Sequence, residues 1–225
     1  MENLVENISK SVAIELLFEE MPTRPTANAI FREARKIFGD INIINRDEND
    51  IEFSVDKFVT YNEDNTTSPV VLAMGNITDF DDKVAVSEFE RTQIWNVVNS
   101  EELLSKYKYA VKIWDVNAQR QIPKERAIML VDWLNVALKL YPKCQAIWIK
   151  SAGKLQLAQS IKNLKETGIV KYLYSMVNIR FFNVPNTNEF IVDSVGLANI
   201  GLSDVQFHFK GMNPNKVANL AYSLA

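Results

Sequence analysis

A single cysteine, Cys144, and a single histidine, His208, set the first limits on this chain. An intrachain disulfide needs two thiols, and structural zinc sites draw on several cysteines and histidines, so both are excluded. Cys144 follows Tyr141-Pro142-Lys143 and precedes the apolar run "QAIWI", which reads as a structural thiol at a strand entrance. A nucleophilic role would need His208 as its base. Long apolar runs are also missing: none approaches the ~18 residues of a membrane-spanning helix. The opening "MENLVENISK" lacks the basic and apolar regions of a secretion signal, so the expected location is the cytoplasm, with no membrane attachment. Nor is charge of one sign concentrated anywhere. The 25 basic and 28 acidic residues are interspersed, for a net charge of -3, and no basic stripe marks nucleic acid as a partner.

What is there is an ordinary globular composition, 47% hydrophobic and 24% charged, on a chain long enough to bury a sizeable core. "SVAIELLFEE" predicts a strand. "TANAIFREARKIFG" predicts a helix with Ala27, Ile30, Phe31, Ala34 and Phe38 on one face and Gly39 as its stop. "DIEFSVDKFV" alternates as a strand, the polar "TYNEDNTTSP" reads as a long connection, and "VVLAMG" as the second arm of a hairpin. A capping box, Ser87 and Glu90, opens a helix over residues 87–106 that carries Phe89, Ile94, Val97, Val98 and Leu104, and "KYAVKIWDV" follows as a strand. This order is that of a ferredoxin-like split β-α-β-β-α-β unit over about residues 11–117.

Pro123 then starts a strong helix with Ala127, Leu130, Val131, Leu134, Leu138 and Tyr141 on its apolar face, and Pro142 ends it. "QAIWIK" predicts a short buried strand and "KLQLAQSIKNLKETG" a helix ending at Gly168. "NIRFFNV", "EFIVD" and "DVQFHFK" predict three further strands. With no internal repeat or flexible linker, residues 1–225 read as a single α+β domain. The extension over about residues 118–225 adds helices and strands around a mainly antiparallel sheet.

In the last strand, Val205, Phe207 and Phe209 fall on one face and Gln206, His208 and Lys210 on the other. His208 therefore points away from the apolar side, and a general-base role would require Asp193 or Asp204 to orient it. Asn213 and Pro214 then start a helix with Val217, Leu220, Ala221 and Leu224 at helical spacing.

The stretch "VDSVGLANIGLSDVQFHFKGMNPNKVANLAYSLA", with its two Gly-Leu pairs and Asn-Pro helix start, resembles the bacterial domain of unknown function 4261 family. "KYAVKIWDV" and "CQAIWIKSAGKL" are similar to that family's middle section. The resemblance implies a bacterial cytoplasmic α+β protein. It carries over no activity, cofactor or catalytic residue, and it implies a family pattern that continues past the final helix.

Several motifs approach known chemistry and miss. "IWIKSAGKL" leads through Gly153-Lys154 as a phosphate loop would, but Trp148 and Leu155 stand where glycine and Ser/Thr are required. An anion-binding role survives for Lys150, Ser151 and Lys154 around an expected helix start. Ser151 and Lys154 also spell S-x-x-K, without the companion motifs of the penicillin-recognising enzymes. "RDENDIE" fails as a calcium loop, because Glu52 stands at the glycine of the sharp turn. "DFDD" reads as a charged loop. No metal site or cofactor is implied.

Two readings follow. The first is a non-enzymatic accessory, immunity or regulatory protein that binds another protein, with homodimerisation as the default symmetric assembly. The second is a small-molecule or anion binder, or a hydrolase. Its pocket would be formed by Trp114, Asp115, Trp148, Lys150, Ser151 and Lys154, with His208 as a further candidate.

Overall fold

A computed structural model describes residues 11–47, 49–62, 64 and 66–224. The opening segment read for its lack of a secretion signal lies outside them, as do Glu48, Glu63, Asn65 and Ala225.

The first strand is β1 (Ala13–Phe18), followed by α1 (Ala27–Phe38). Thr26 caps α1 by accepting the Ala29 N–H at 3.2 Å, Ile30, Ala34 and Phe38 are buried, and Gly39 ends it at φ 77°. Next come β2 (Ile41–Arg46), β3 (Asp50–Tyr61) and β4 (Thr67–Asp79). Three short helices, α2 (Asp82–Ala85), α3 (Glu88–Thr92) and α4 (Ser100–Lys106), lead to β5 (Tyr109–Val116). The long α5 (Pro123–Leu140) precedes β6 (Ala146–Ile149) and β7 (Lys154–Leu157). Then follow α6 (Ala158–Asn163), α7 (Gly168–Met176), β8 (Asn178–Asn183), β9 (Glu189–Val195), β10 (Gln206–Lys210) and α8 (Pro214–Leu224).

The class is the expected one, α+β, and every strand pair is antiparallel. The strands form a seven-stranded sheet ordered β2-β3-β4-β5-β1-β6-β7 and a separate three-stranded sheet ordered β10-β9-β8. The lateral order differs from a ferredoxin-like unit, whose first strand lies between the third and fourth predicted strands. Here β5 pairs directly with β4 and separates it from β1. The physical reason is the segment from α2 to α4: its helices of 4, 5 and 7 residues fold back over one face and return the chain to the neighbouring position. A split β-α-β unit does occur later, because β5 and β6 flank β1, each antiparallel to it, with α5 as the crossover.

Period-two alternation divides the large sheet into two apolar faces. Ile14, Leu16, Phe18, Phe53, Leu72, Ile113 and Ile147 face α1 and α5 in the main core. Leu17, Ala110, Ala146, Trp148 and Leu155 face the opposite way and meet Phe80, Val86, Ile94, Val97 and Leu104 of the α2 to α4 segment. The helix α5 is buried almost all round, since Met129, Trp133, Val136 and Ala137 join the expected apolar face. It lies between the sheet and further helices, as a helix without a polar face must. Trp133 donates from Nε1 to the carbonyl of Ala73 at 3.1 Å, tying α5 to the middle of the sheet.

Three local expectations need correction. The single helix over residues 87–106 is broken: α3 stops after its capping box, Asn99 adopts a left-handed φ of 56°, and Phe89 and Val98 are exposed. Between the two pieces Asn96 donates to the carbonyl of Leu155 at 3.0 Å, occupying the edge of β7. The helix expected from Lys154 begins only at Ala158, because residues 154–157 pair with β6 as β7. Gly168, expected as a helix stop, instead starts α7. The edge strand β2 is an additional element, with a bulge between Ile43 and Asn45 that disturbs its alternation.

Candidate functional site

The turn between β6 and β7, the start of α3 and strand β8 converge on a cleft. Gly153 turns the chain with a left-handed φ of 56°, and a Cβ there would meet Cγ of Glu90 at 3.6 Å and Nδ2 of Asn178 at 4.0 Å, ordinary van der Waals distances, so the backbone conformation and not space favours glycine. Asn178 donates to the Gly153 carbonyl at 2.9 Å and holds β8 against the turn. The cavity of about 360 Å³ is bounded by Glu90 and Gln93 from the α3 side, Lys150 and Ser151 from the turn, and Asn178 and Arg180 from β8.

Arg180 organises the next layer. Its Nε donates to Asp193 at 2.8 Å across the β8 and β9 register, and Nη2 completes a bidentate pair. The guanidinium carbon lies 5.2 Å from the ring centre of Phe182 and 6.0 Å from that of Phe89. The two rings stack at 6.2 Å with an 8° interplanar angle. On the other side of β8, Trp95 meets Phe181 edge-on at 5.4 Å, above a second groove of about 470 Å³ that also takes in Ile179, Ala218 and Tyr222. The α3 segment thus clasps the edge strand of the small sheet through two aromatic pairs.

The seven residues singled out in the sequence are dispersed. Lys150 and Ser151 line the cleft, but no helix starts beside them: residues 150–152 form a single 3-10 turn into β7, so the expected helix-terminus anion site is not formed. Lys154 is 2% exposed and donates to the Val177 carbonyl at 2.9 Å. Burial alone lowers its pKa from 10.5 to about 8.

Trp148 is wholly buried beneath the α2 to α4 segment, whereas Trp114 is half-buried on the same face. Strand β1 separates them, with Trp148 opposite Glu15 and Trp114 opposite Ala13, so they form no common pocket wall. Asp115 points to the opposite face, where it is buried against Arg126.

His208 lies on β10, an outer strand of the small sheet, on the polar face expected for it. Its Nε2 lies 2.8 Å from the Glu189 carboxylate. The two aspartates expected to orient it are engaged elsewhere, Asp193 with Arg180 and Asp204 with the Ser194 hydroxyl and Leu197 N–H. Cys144 is buried, and burial pushes its thiol up to about 12, far from a thiolate at neutral pH. Asp81 caps α2 and Asp82 pairs with Arg91 at 2.8 Å, while Asp47 accepts the N–H groups of Asn49 and Asp50 as a turn residue.

Sequence reasoning did not single out Gln93, Asn178 or Arg180. The visible signal was the capping box at Ser87 and Glu90, which marks where the cleft's α3 wall begins. Among the described residues, no group of three or more His, Cys, Asp or Glu could hold a metal ion, and no helix is long and apolar enough to cross a membrane. The chain matches no family model, no curated protein and no solved structure.

Proposed function

We propose that this chain is a non-enzymatic protein-interaction domain of a bacterial cytoplasmic accessory or regulatory protein, belonging to the domain of unknown function 4261 family. One observation carries the interaction reading: the groove between β8 and α8 is walled by Trp95, Phe181 and Tyr222, with Trp95 56% exposed at its rim. Trp, Tyr and Arg dominate binding energetics where they border an apolar depression, and Arg180 supplies the third type here. The occupant is a segment of a partner protein that inserts apolar side chains between Trp95 and α8. The dispersal of Trp114, Trp148 and Lys154 speaks against a hydrolase or binding pocket built from them.

The test is affinity capture from a bacterial lysate with three baits, followed by measurement of binding between the purified components. The baits are the wild-type chain, Ala218→Glu, which puts a charge into the groove, and His208→Ala. A stoichiometric partner retained by wild type and His208→Ala but lost from Ala218→Glu supports the reading. Equal retention by all three places the interface elsewhere, retention of a second copy of this chain makes the groove a dimer contact, and no partner on any bait overturns the proposal.

A further inference from the structure

Each of the two sheets ends in two outer strands, and three of the four are protected against further pairing. β2 carries a bulge, β7 has its Leu155 carbonyl taken by Asn96, and β8 is straddled by Phe89 and Trp95, which meet Phe182 and Phe181 on its two faces. β10 has none of these devices. Its register with β9 runs without a shift from Gln206 to Lys210, and it contains no proline.

The ladder shows which backbone groups of β10 are free. The Ser194 N–H donates to the Val205 carbonyl at 2.9 Å, so by the alternation of an antiparallel pair Phe207 and Phe209 also turn their N–H and C=O groups toward β9. Gln206, His208 and Lys210 turn theirs to the open side, and all three residues are exposed. Outside the β9 pairing, no backbone bond among the described residues uses those groups. One side of this edge is apolar. Val217 and Ala221 of α8 are buried against the sheet, while Pro214, Ala218 and Tyr222 turn toward β8 as the wall of the groove. At about 100° per residue Leu220 falls on the other flank of the helix, toward β10. It is 43% exposed there, on the sheet face that carries the half-buried Phe207.

From this arrangement we propose that β10 pairs with β10 of a second copy of this chain, antiparallel about a two-fold axis at Phe207, joining the two three-stranded sheets into one of six strands. Gln206 then exchanges both backbone bonds with the partner's His208, and His208 with the partner's Gln206. Phe207 lies opposite the partner's Phe207 on the α8 face, and Lys210 comes opposite the partner's Asp204. Charge selects this register. Glu189, which stands opposite Lys210 within the chain, is taken by His208. Asp204 is exposed and held in place by the Ser194 hydroxyl and the Leu197 N–H, both at Oδ1. An axis at His208 would instead set the two histidines against each other and leave Lys210 opposite a glutamine. The interface lies on the opposite edge of the small sheet from the protein-binding groove and does not depend on it.

The test is sedimentation velocity of the full chain from about 5 to about 500 µM. The edge of a five-residue strand is a small interface, below the roughly 800 Å² per partner of a stable complex. The expected result is therefore a reversible monomer–dimer equilibrium with a dissociation constant on the order of 10–100 µM. Amide exchange at Gln206 and His208 slows as the concentration rises. His208→Pro removes an outward N–H where an edge strand tolerates proline, and weakens the dimer about tenfold or more. His208→Ala keeps that donor and leaves the dimer intact. Lys210→Glu, at an exposed position, keeps the fold, sets like charges opposite each other and weakens the dimer by a similar factor; it carries the test alone if His208→Pro fails to fold. Ala218→Glu, in the groove, leaves the dimer unchanged. The proposal is overturned if the chain stays monomeric over the whole range, which leaves the edge to a strand of another protein, or if Lys210→Glu or a folded His208→Pro associates as well as wild type. Equal loss in His208→Ala and His208→Pro also overturns it, as does loss in Ala218→Glu, which assigns the contact to the groove.

Discussion

Arg126 and Asp115 meet at 2.8 Å beneath β5, and neither side chain reaches solvent, at 1% and 0% exposure. The carboxylate also accepts the N–H of Val12, so one residue ties α5, β5 and the start of β1 together. A buried pair of this kind recovers the desolvation of its charges only while both partners are present. Asp115→Ala should therefore destabilise the protein by about 3–5 kcal/mol, because it takes the carboxylate away from a guanidinium buried in the core. The double replacement Asp115→Leu with Arg126→Met should recover most of that loss. Urea denaturation of the three proteins checks both statements, and a double variant as unstable as the single one would contradict this account.

Lys154 makes stability depend on pH in an unusual direction. Burial holds its folded-state pKa at about 8, below the 10.5 of an exposed lysine. Above pH 8 the folded protein sheds this proton while the unfolded chain retains it, so the unfolded state binds more protons and stability rises with pH. Below pH 8 the charged ammonium is buried at a cost of about 3 kcal/mol relative to alkaline solution. The thiol of Cys144 and the hydroxyls of Tyr107 and Tyr141, each raised to about 12, act in the opposite sense above their ordinary values of 9 and 10. The cleanest readout is therefore the difference between wild type and Lys154→Met from pH 7 to pH 10. The variant should be the more stable at pH 7, and the gap should narrow as pH rises through 8. A constant gap would show that burial does not lower the folded-state pKa of Lys154.

The contrast between Lys154 and His208 shows what could be read in advance. Facing along a strand is local, so the alternation of Phe207, His208 and Phe209 sufficed to put the histidine on the polar side. Lys154 read as an anion-binding candidate at a helix start because its acceptor, the Val177 carbonyl, lies 23 residues away and belongs to the other sheet's entry. Lateral strand order has the same non-local character. Nothing in residues 87–106 announces that the segment folds back, and the break is set by Asn96 reaching Leu155, 59 positions on. The cleft illustrates both cases at once: Ser87 and Glu90 were legible as a cap, whereas Asn178 and Arg180 arrive through tertiary pairing.

Gly196 lies in one of the Gly-Leu pairs of the C-terminal segment, at φ 126°. A Cβ there would stand 2.8 Å from the backbone carbonyl of Met176 and 3.3 Å from Cβ of Ala152. Neither backbone nor buried methyl can move aside cheaply, so Gly196→Ala combines conformational strain with a clash and should cost about 2–3 kcal/mol. Gly211 also has a positive φ, 70°, but nothing lies within 4 Å of its Cβ position. Gly211→Ala should cost only the strain of the left-handed backbone, about 1 kcal/mol. Thermal denaturation of the two variants separates space from conformation, and equal losses would assign both effects to backbone strain alone.

Arg180 and His208 stand on the same face of the small sheet, each paired with a carboxylate, yet their environments differ. The His208 and Glu189 side chains are 57% and 34% exposed, so solvent screens the pair and both residues retain rotamer entropy when it breaks. Arg180 and Asp193 are 25% and 18% exposed, bond in bidentate fashion, and lie against two aromatic rings. His208→Ala should change stability by less than about 1 kcal/mol, the usual limit for an exposed pair. Arg180→Ala removes a planar group that both pairs and stacks, and should cost about 2 kcal/mol. Because the guanidinium lies against Phe89 and Phe182 where α3 meets β8, the loss should be local as well as global. Amide hydrogen exchange should accelerate along β8 in Arg180→Ala and stay unchanged there in His208→Ala. Equal exchange in the two variants would mean that the clasp between α3 and the small sheet rests on the aromatic pairs alone.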